Sequence, residues 1–241
     1  GVGKTRVAVE IAHRWTAGPS TTGRSAAWVD LQAARHEQEL VQLVASQLDD
    51  AGDASVASVG RALGKRGPLL LILDNLEQLP RVCATTVSAW IRAAPSLRVL
   101  ATSRQPLGIG EEQVVDLAPL DVPERPEDAV SSPAWQLFVA VAPKGLLDGV
   151  DAGRAQRLLQ VLEGLPLALE LAGNRLEVLD LDELERRMKD RFSLLTDPSA
   201  SGERHGALWD AIGWSWALLP EGERATLAQL SVFAGPFGLL E

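Results

Sequence analysis

Cysteine is almost absent from this sequence, with Cys83 the single thiol in 241 residues. One thiol excludes an internal disulfide framework and any zinc or iron–sulfur site built on several cysteines, and it fits a reducing compartment, so the expected location is cytoplasmic. Lysine is scarce too, at positions 4, 65, 144 and 189 only, and arginine supplies the other basic residues. Lys and Arg total 23 against 32 acidic residues, a formal net charge of −9, so no global field draws the chain to DNA, RNA or an anionic membrane. Direct nucleic-acid binding by this segment is not expected. Long apolar runs are missing: the longest, Leu69 to Leu73, is far below the roughly 18 residues of a membrane span, and the N-terminus lacks the layout of an export signal. Neither export nor a membrane partner is expected. His13, His36 and His205 have no partners at ligand spacing, no G-x-S-x-G elbow occurs, and no internal repeat is found.

What is present is ordinary globular usage, 46% hydrophobic and 23% charged, at a length that suggests one large or two small domains. The first half alternates short apolar runs with amphipathic stretches, the pattern of a parallel sheet with crossover helices. Candidate strands are Ala26–Leu31, Leu69–Leu73, Val99–Thr102 and Gln113–Leu117, and the predicted helical faces are Leu40, Leu43, Val44 and Leu48, then Val87, Trp90 and Ile91. Ala118–Pro133 carries four prolines and reads as a linker, with a domain ending near residue 120. Beyond it the period is helical: Ser132 caps a helix through Val141, Leu158 to Leu176 continue the pattern, and Leu181, Leu184, Met188, Phe192 and Leu195 line another face. Leu208, Trp209, Ile212, Trp216 and Leu219 predict a further helix that begins a third unit.

Three stretches carry chemistry. Gly1-Val2-Gly3-Lys4-Thr5-Arg6 stands before an amphipathic helix with Val7, Ile11 and Trp15. A phosphate loop needs this order: glycine backbone folds around phosphate oxygens, the helix N-terminus aims amides at them, Lys4 supplies charge and Thr5 a hydroxyl for Mg2+. The first glycine of the full motif would lie before Gly1, so the alternative, a plain helix start, stays open on these residues alone. Second, Leu69-Leu70-Leu71-Ile72-Leu73-Asp74 is an apolar strand that delivers a carboxylate to its C-terminal edge, where P-loop enzymes hold magnesium together with the loop hydroxyl. Asp74 is the metal residue on this reading, and Glu77, or else Asn75, would position a water against the terminal phosphate. Third, Val99–Thr102 leads into Ser103 and Arg104 at the same edge, where an arginine either contacts that phosphate or forms a surface ion pair.

These stretches, with Gly164-Leu165-Pro166-Leu167-Ala168, Trp214-Ser215 and Leu230-Ser231-Val232-Phe233-Ala234-Gly235, occur in the same order as in bacterial NB-ARC-type ATPases of the STAND class, which the chain resembles over nearly its whole length. The resemblance implies an α/β P-loop NTPase domain over 1–120 with its first strand missing, a linker at 121–131, a small helical domain at 132–196 and the start of a winged helix at 207–241. It implies an ATP- and ADP-binding conformational switch with Mg2+ as cofactor. Lys4 and Thr5 would bind phosphates and metal, Asp74 would complete the metal site, Arg104 would act as sensor, and Pro166 would pack near adenine. Read from its residues alone, Gly164-Leu165-Pro166 is equally a helix–helix corner. Expected partners are the nucleotide, effector and sensor domains of a longer parent chain, a DNA-binding domain among the candidate effectors, and a nucleotide-dependent homo-oligomer.

Asn75 stands where many members of the class carry a second acidic residue, which implies slow hydrolysis. The histidine-containing motif that senses ADP in the winged helix would lie beyond Glu241 or be absent. The start at Gly1 and the stop just after a fresh apolar run lead us to expect a fragment, poorly stable alone because the middle strand of its sheet would be missing. An autonomous ATPase working by turnover and an interaction scaffold with a vestigial nucleotide site are the alternative readings.

Overall fold

A computed structural model describes residues 1–17, 23–48, 53–79, 83–186, 188, 216 and 219–232. Phe192, Leu195, Leu208, Trp209, Ile212, Trp214, Ser215 and the stretch from Phe233 to Gly235 lie outside the described residues, and with them most of the expected third unit. The chain is mixed α/β and divides into two compact units. One holds the described residues of Lys4–Asp116; the other holds Gly1–Gly3 and those from Leu117 to Val232.

The first unit is built on a parallel three-stranded sheet, β1 (Ser25–Asp30), β2 (Leu69–Asp74) and β3 (Leu97–Ala101), in the spatial order β1-β2-β3. All six residues of β2 are buried, which explains its continuous apolar run: a strand covered on both faces has no solvent side to alternate toward. At about 1.5–3 kcal/mol for each buried leucine or isoleucine, this strand is the largest contiguous contribution to the unit's core. On one face Leu69, Leu71 and Leu73 pack with helices α2 (Glu37–Ser46), α3 (Val56–Lys65) and α4 (Cys83–Ala93) around the fully buried Trp90, whose indole N–H donates to the Val56 carbonyl at 3.0 Å. On the other, Leu70 and Ile72 meet Ala8, Ala12 and Trp15 of α1 (Lys4–Thr16).

Three expectations change. Val7 and Ile11 are exposed, because α1 turns the Ala8, Ala12, Trp15 stripe inward instead. Leu43 is likewise exposed and Val41 takes its place in the core. Gln113–Leu117 is not a strand: its residues are all exposed, Val115 at 79%, and among the described residues no strand pairs with it. Within the sheet β2 is hydrogen-bonded to β1 on one side and β3 on the other, which satisfies its buried backbone groups. Cys83 is fully buried, and burial, then the Glu37 carboxylate, push its thiol above the ordinary range, as expected of a packed cysteine.

The second unit is helical. Within the stretch read as linker, α5 (Pro126–Ala129) buries Ala129 completely. Ser132 caps α6 (Pro133–Val141) by accepting from the Trp135 N–H at 3.2 Å, and Asp151 caps α7 (Ala152–Val161) through the Arg154 N–H at 2.9 Å. Gly164 lies past the end of α7 at φ +62°, and Pro166 opens α8 (Pro166–Arg175), so the helix–helix corner read from these residues is present. Helical residues 181–186 bury Leu181 and Leu184, and Arg154 ties them to α7 through ion pairs with Asp182 and, at 2.9 Å, Glu185. The described residues end with α9 (Glu221–Leu230), which buries nothing.

At the α7–α8 corner a Cβ on Gly164 would lie 2.0 Å from the Leu120 carbonyl oxygen, whose own N–H donates to the Gly164 carbonyl at 2.9 Å. Positive φ and the steric clash both oppose a side chain there. Gly164→Ala is therefore expected to cost about 2–4 kcal/mol, lowering the melting temperature by roughly 5–15 °C. Gly222→Ala in α9, with open space around it, is expected to melt like the parent. Calorimetric scans of the two variants check this; a Gly164→Ala variant as stable as the parent would refute the described corner.

Candidate functional site

The C-terminal edge of a parallel sheet collects whatever side chains end its strands, because all strands point the same way. Here β1 ends in Asp30 and β2 in Asp74, side by side in register, while β3 runs directly into Thr102. The backbone ladder continues past the formal strand ends: the Thr102 N–H donates to the Leu73 carbonyl and the Leu76 N–H to the Thr102 carbonyl, each at 3.0 Å.

Asp74 is only 5% exposed, and a buried carboxylate is costly unless donors surround it. Two hydroxyls supply them. Thr5, in the first turn of α1, donates to either carboxylate oxygen, at 3.1 Å to Oδ1 and 3.2 Å to Oδ2, although 69 residues separate the two in sequence. Thr102 donates to Oδ1 at 2.5 Å. Thr5 and Asp74, both expected at a metal site, are thus brought together, with Lys4 next to Thr5 in the same helical turn. An oxygen-only pair of hydroxyl and carboxylate suits a hard cation such as Mg2+. Among the described residues no group of three or more His, Cys, Asp or Glu is placed to hold a metal by itself.

Asn75 sits in the left-handed region at φ 63°, ψ 39°. Its backbone N–H donates to Thr102 Oγ1 at 3.1 Å and its side-chain amide to Asp30 Oδ1 at 3.0 Å. One hydrogen of the amide is thus directed at Asp30. Glu77 follows in a short 3-10 turn, Leu76–Gln78, where Oε1 lies 3.4 Å from Arg104 Nε while the buried Oε2 has no hydrogen-bond partner. Arg104 keeps 77% of its side chain exposed. Glu77 and Arg104, expected at one edge, are therefore neighbours, and the ion-pair reading of Arg104 describes what is seen.

Of the remaining expected residues, Gly1, Val2, Gly3 and Pro166 lie in the helical unit and Arg6 in the sheet unit. The Gly1 carbonyl accepts from the Leu167 N–H at 3.2 Å, Val2 packs on the helical core, and Gly3, at φ 93°, would bring a Cβ to 3.9 Å from Pro166 Cγ. Arg6 is exposed on α1. Sequence reasoning missed two participants, Asp30 and the Thr102 hydroxyl. Asp30 was legible in principle, since parallel strands of similar length place their last residues together; Thr102 needed the register of β3 against β2.

The left-handed backbone of Asn75 yields a test. Glycine keeps that conformation, whereas a β-branched residue resists it, so Asn75→Val is expected to unfold in urea about 1–3 kcal/mol more easily than Asn75→Gly. Equal midpoints and slopes would contradict the described turn.

No protein-family model matches the chain. It is similar to "Putative HTH-type transcriptional regulator Mb0914c" of Mycobacterium bovis and to "Putative HTH-type transcriptional regulator Rv0890c" of Mycobacterium tuberculosis, at 32% identity over 99% of this chain and 26% of each relative. It is also 30% identical to "Uncharacterized protein Rv0894" of Mycobacterium tuberculosis, over 99% of this chain and 60% of that protein. The chain thus spans about a quarter of the length of the regulators it matches and under two thirds of the third relative.

Proposed function

We propose that the chain is the nucleotide-binding part of a regulator, holding Mg-ATP or ADP at the C-terminal edge of its sheet as a conformational switch. The observation that carries this reading is the Thr5–Asp74 hydrogen bond, which joins the first turn of α1 to the last residue of the central strand. A lysine and a hydroxyl at a helix N-terminus, facing a carboxylate at a sheet edge, are the parts from which a phosphate and metal site is made. Similarity to proteins with regulator names, and the resemblance to NB-ARC-type ATPases, support the regulatory side.

In this proposal Lys4 and the N–H groups at the start of α1 bind phosphate oxygens, with Gly3 at φ 93° giving the backbone just before Lys4 a conformation that side chains resist. Thr5 and Asp74 would hold the cation, which supplies charge neutralisation at the phosphates. Glu77 Oε2, buried and without a donor, would be the acceptor for a water proton, and Arg104 pairs with the other oxygen of the same carboxylate. Asp30 accepts from the Asn75 amide and Arg104 pairs with Glu77 Oε1, while Oε2 stays without a partner. Slow turnover in this reading rests on Asn75 standing where many members of the NB-ARC class carry a second acidic residue.

The test is to denature the purified protein and quantify released nucleotide beside Lys4→Ala. Stoichiometric ADP or ATP from the parent and little from the variant is the expected result. Absence of nucleotide from both, persisting after incubation with Mg-ATP, would refute the proposal and leave an interaction scaffold as the better account.

A further inference from the structure

Thr102 is only 6% exposed, and every polar atom of it is engaged at the sheet edge. Its N–H donates to Leu73 and its carbonyl accepts from Leu76, each at 3.0 Å, fixing the backbone. Its hydroxyl oxygen accepts the Asn75 N–H at 3.1 Å, which leaves the single hydroxyl proton directed at Asp74 Oδ1, 2.5 Å away. A freely rotating hydroxyl could choose its acceptor; this one has no second choice. The other hydroxyl at Asp74, that of Thr5, belongs to an exposed residue on a different element and reaches both oxygens at slightly longer distance.

We propose that Thr102 is a positioning residue for metal-dependent nucleotide binding: it takes one lone pair of Oδ1 and holds the Asp74 carboxylate in a single orientation, leaving Oδ2 to a divalent cation. The inference rests on the nucleotide-switch reading. Thr102 itself touches neither nucleotide nor cation. The cation instead meets a carboxylate that is already oriented, so no rotamer freedom is lost when it binds. Arg104 lies two residues further along the same backbone, so the proposal also ties the placement of the Asp74 carboxylate to the segment that carries the sensor candidate.

The experiment measures the affinity of a fluorescent ATP analogue for the protein, with Mg2+ and with EDTA, in the parent, Thr102→Val and Thr102→Ser. Thr102→Val removes the donated proton at nearly constant volume and is expected to weaken binding about tenfold or more in Mg2+, the loss expected when a hydrogen bond to a charged group is removed, while leaving binding in EDTA unchanged. Thr102→Ser restores the proton and is expected to restore Mg2+-dependent affinity. Equal loss in Mg2+ and EDTA would reduce Thr102 to a structural role and overturn the proposal; so would a Val variant that binds like the parent, or a Ser variant no better than Val. Should Thr102→Val fail to fold, Thr102→Cys, whose S–H is a weak donor, is expected to show a smaller loss confined to Mg2+, and an unchanged affinity there would overturn the proposal equally. A parent that binds no analogue in either buffer would instead refute the switch reading, and this inference with it.

Discussion

Asp74 ends a strand whose other five residues are leucine and isoleucine, and its carboxylate is almost wholly out of water. An ionised group in that position would cost several kcal/mol without donors, so the elements that supply them must be where they are. Thr5 brings the start of α1 to the sheet edge, Thr102 brings the end of β3, and the Asn75 backbone is bent into the left-handed region to reach Thr102. The demand of one carboxylate thereby fixes where a helix begins, how a strand ends and which way the following turn runs.

The same edge explains why side chains from distant parts of the sequence become neighbours. Asp30, Asp74 and Thr102 come from three strands and meet because parallel pairing puts their C-terminal ends side by side. Glu77 and Arg104 lie just beyond, paired at 3.4 Å. Four of these five residues have a partner in place for each polar group described above; the exception is Glu77, whose Oε2 is the one buried side-chain polar atom without a partner among the described residues.

Much of the architecture was legible from local pattern. The all-apolar run of β2 could only be a strand covered on both faces, and its predicted end lies one residue from the observed one. Ser132 as a cap, and Gly164 with Pro166 as a corner, followed from side-chain oxygen, positive φ and the missing proline N–H. The errors arose where tertiary contacts decide. Val7 and Ile11 look like the inward stripe of α1 by hydrophobicity, yet the sheet accepts the smaller Ala8 and Ala12, which let the helix approach closely. Gln113–Leu117 has strand-forming composition but no partner strand among the described residues, and composition does not provide one. At the site, Lys4, Thr5 and Asp74 could be named from motif order, while the roles of Thr102 and Asp30 depend on register, which residue types do not encode.

Each unit carries a buried indole deep in its core. Trp90 is fully enclosed in the sheet unit, with its N–H satisfied by a backbone carbonyl, and Trp135 lies 5% exposed in the helical unit, tilted against Phe138 at 5.5 Å between ring centroids. An indole shielded from water emits at shorter wavelength than a hydrated one. Trp90 and Trp135 can therefore serve as optical reporters, one per unit, once the other six of the seven tryptophans are replaced by phenylalanine so that the remaining emission follows the opening of one unit alone.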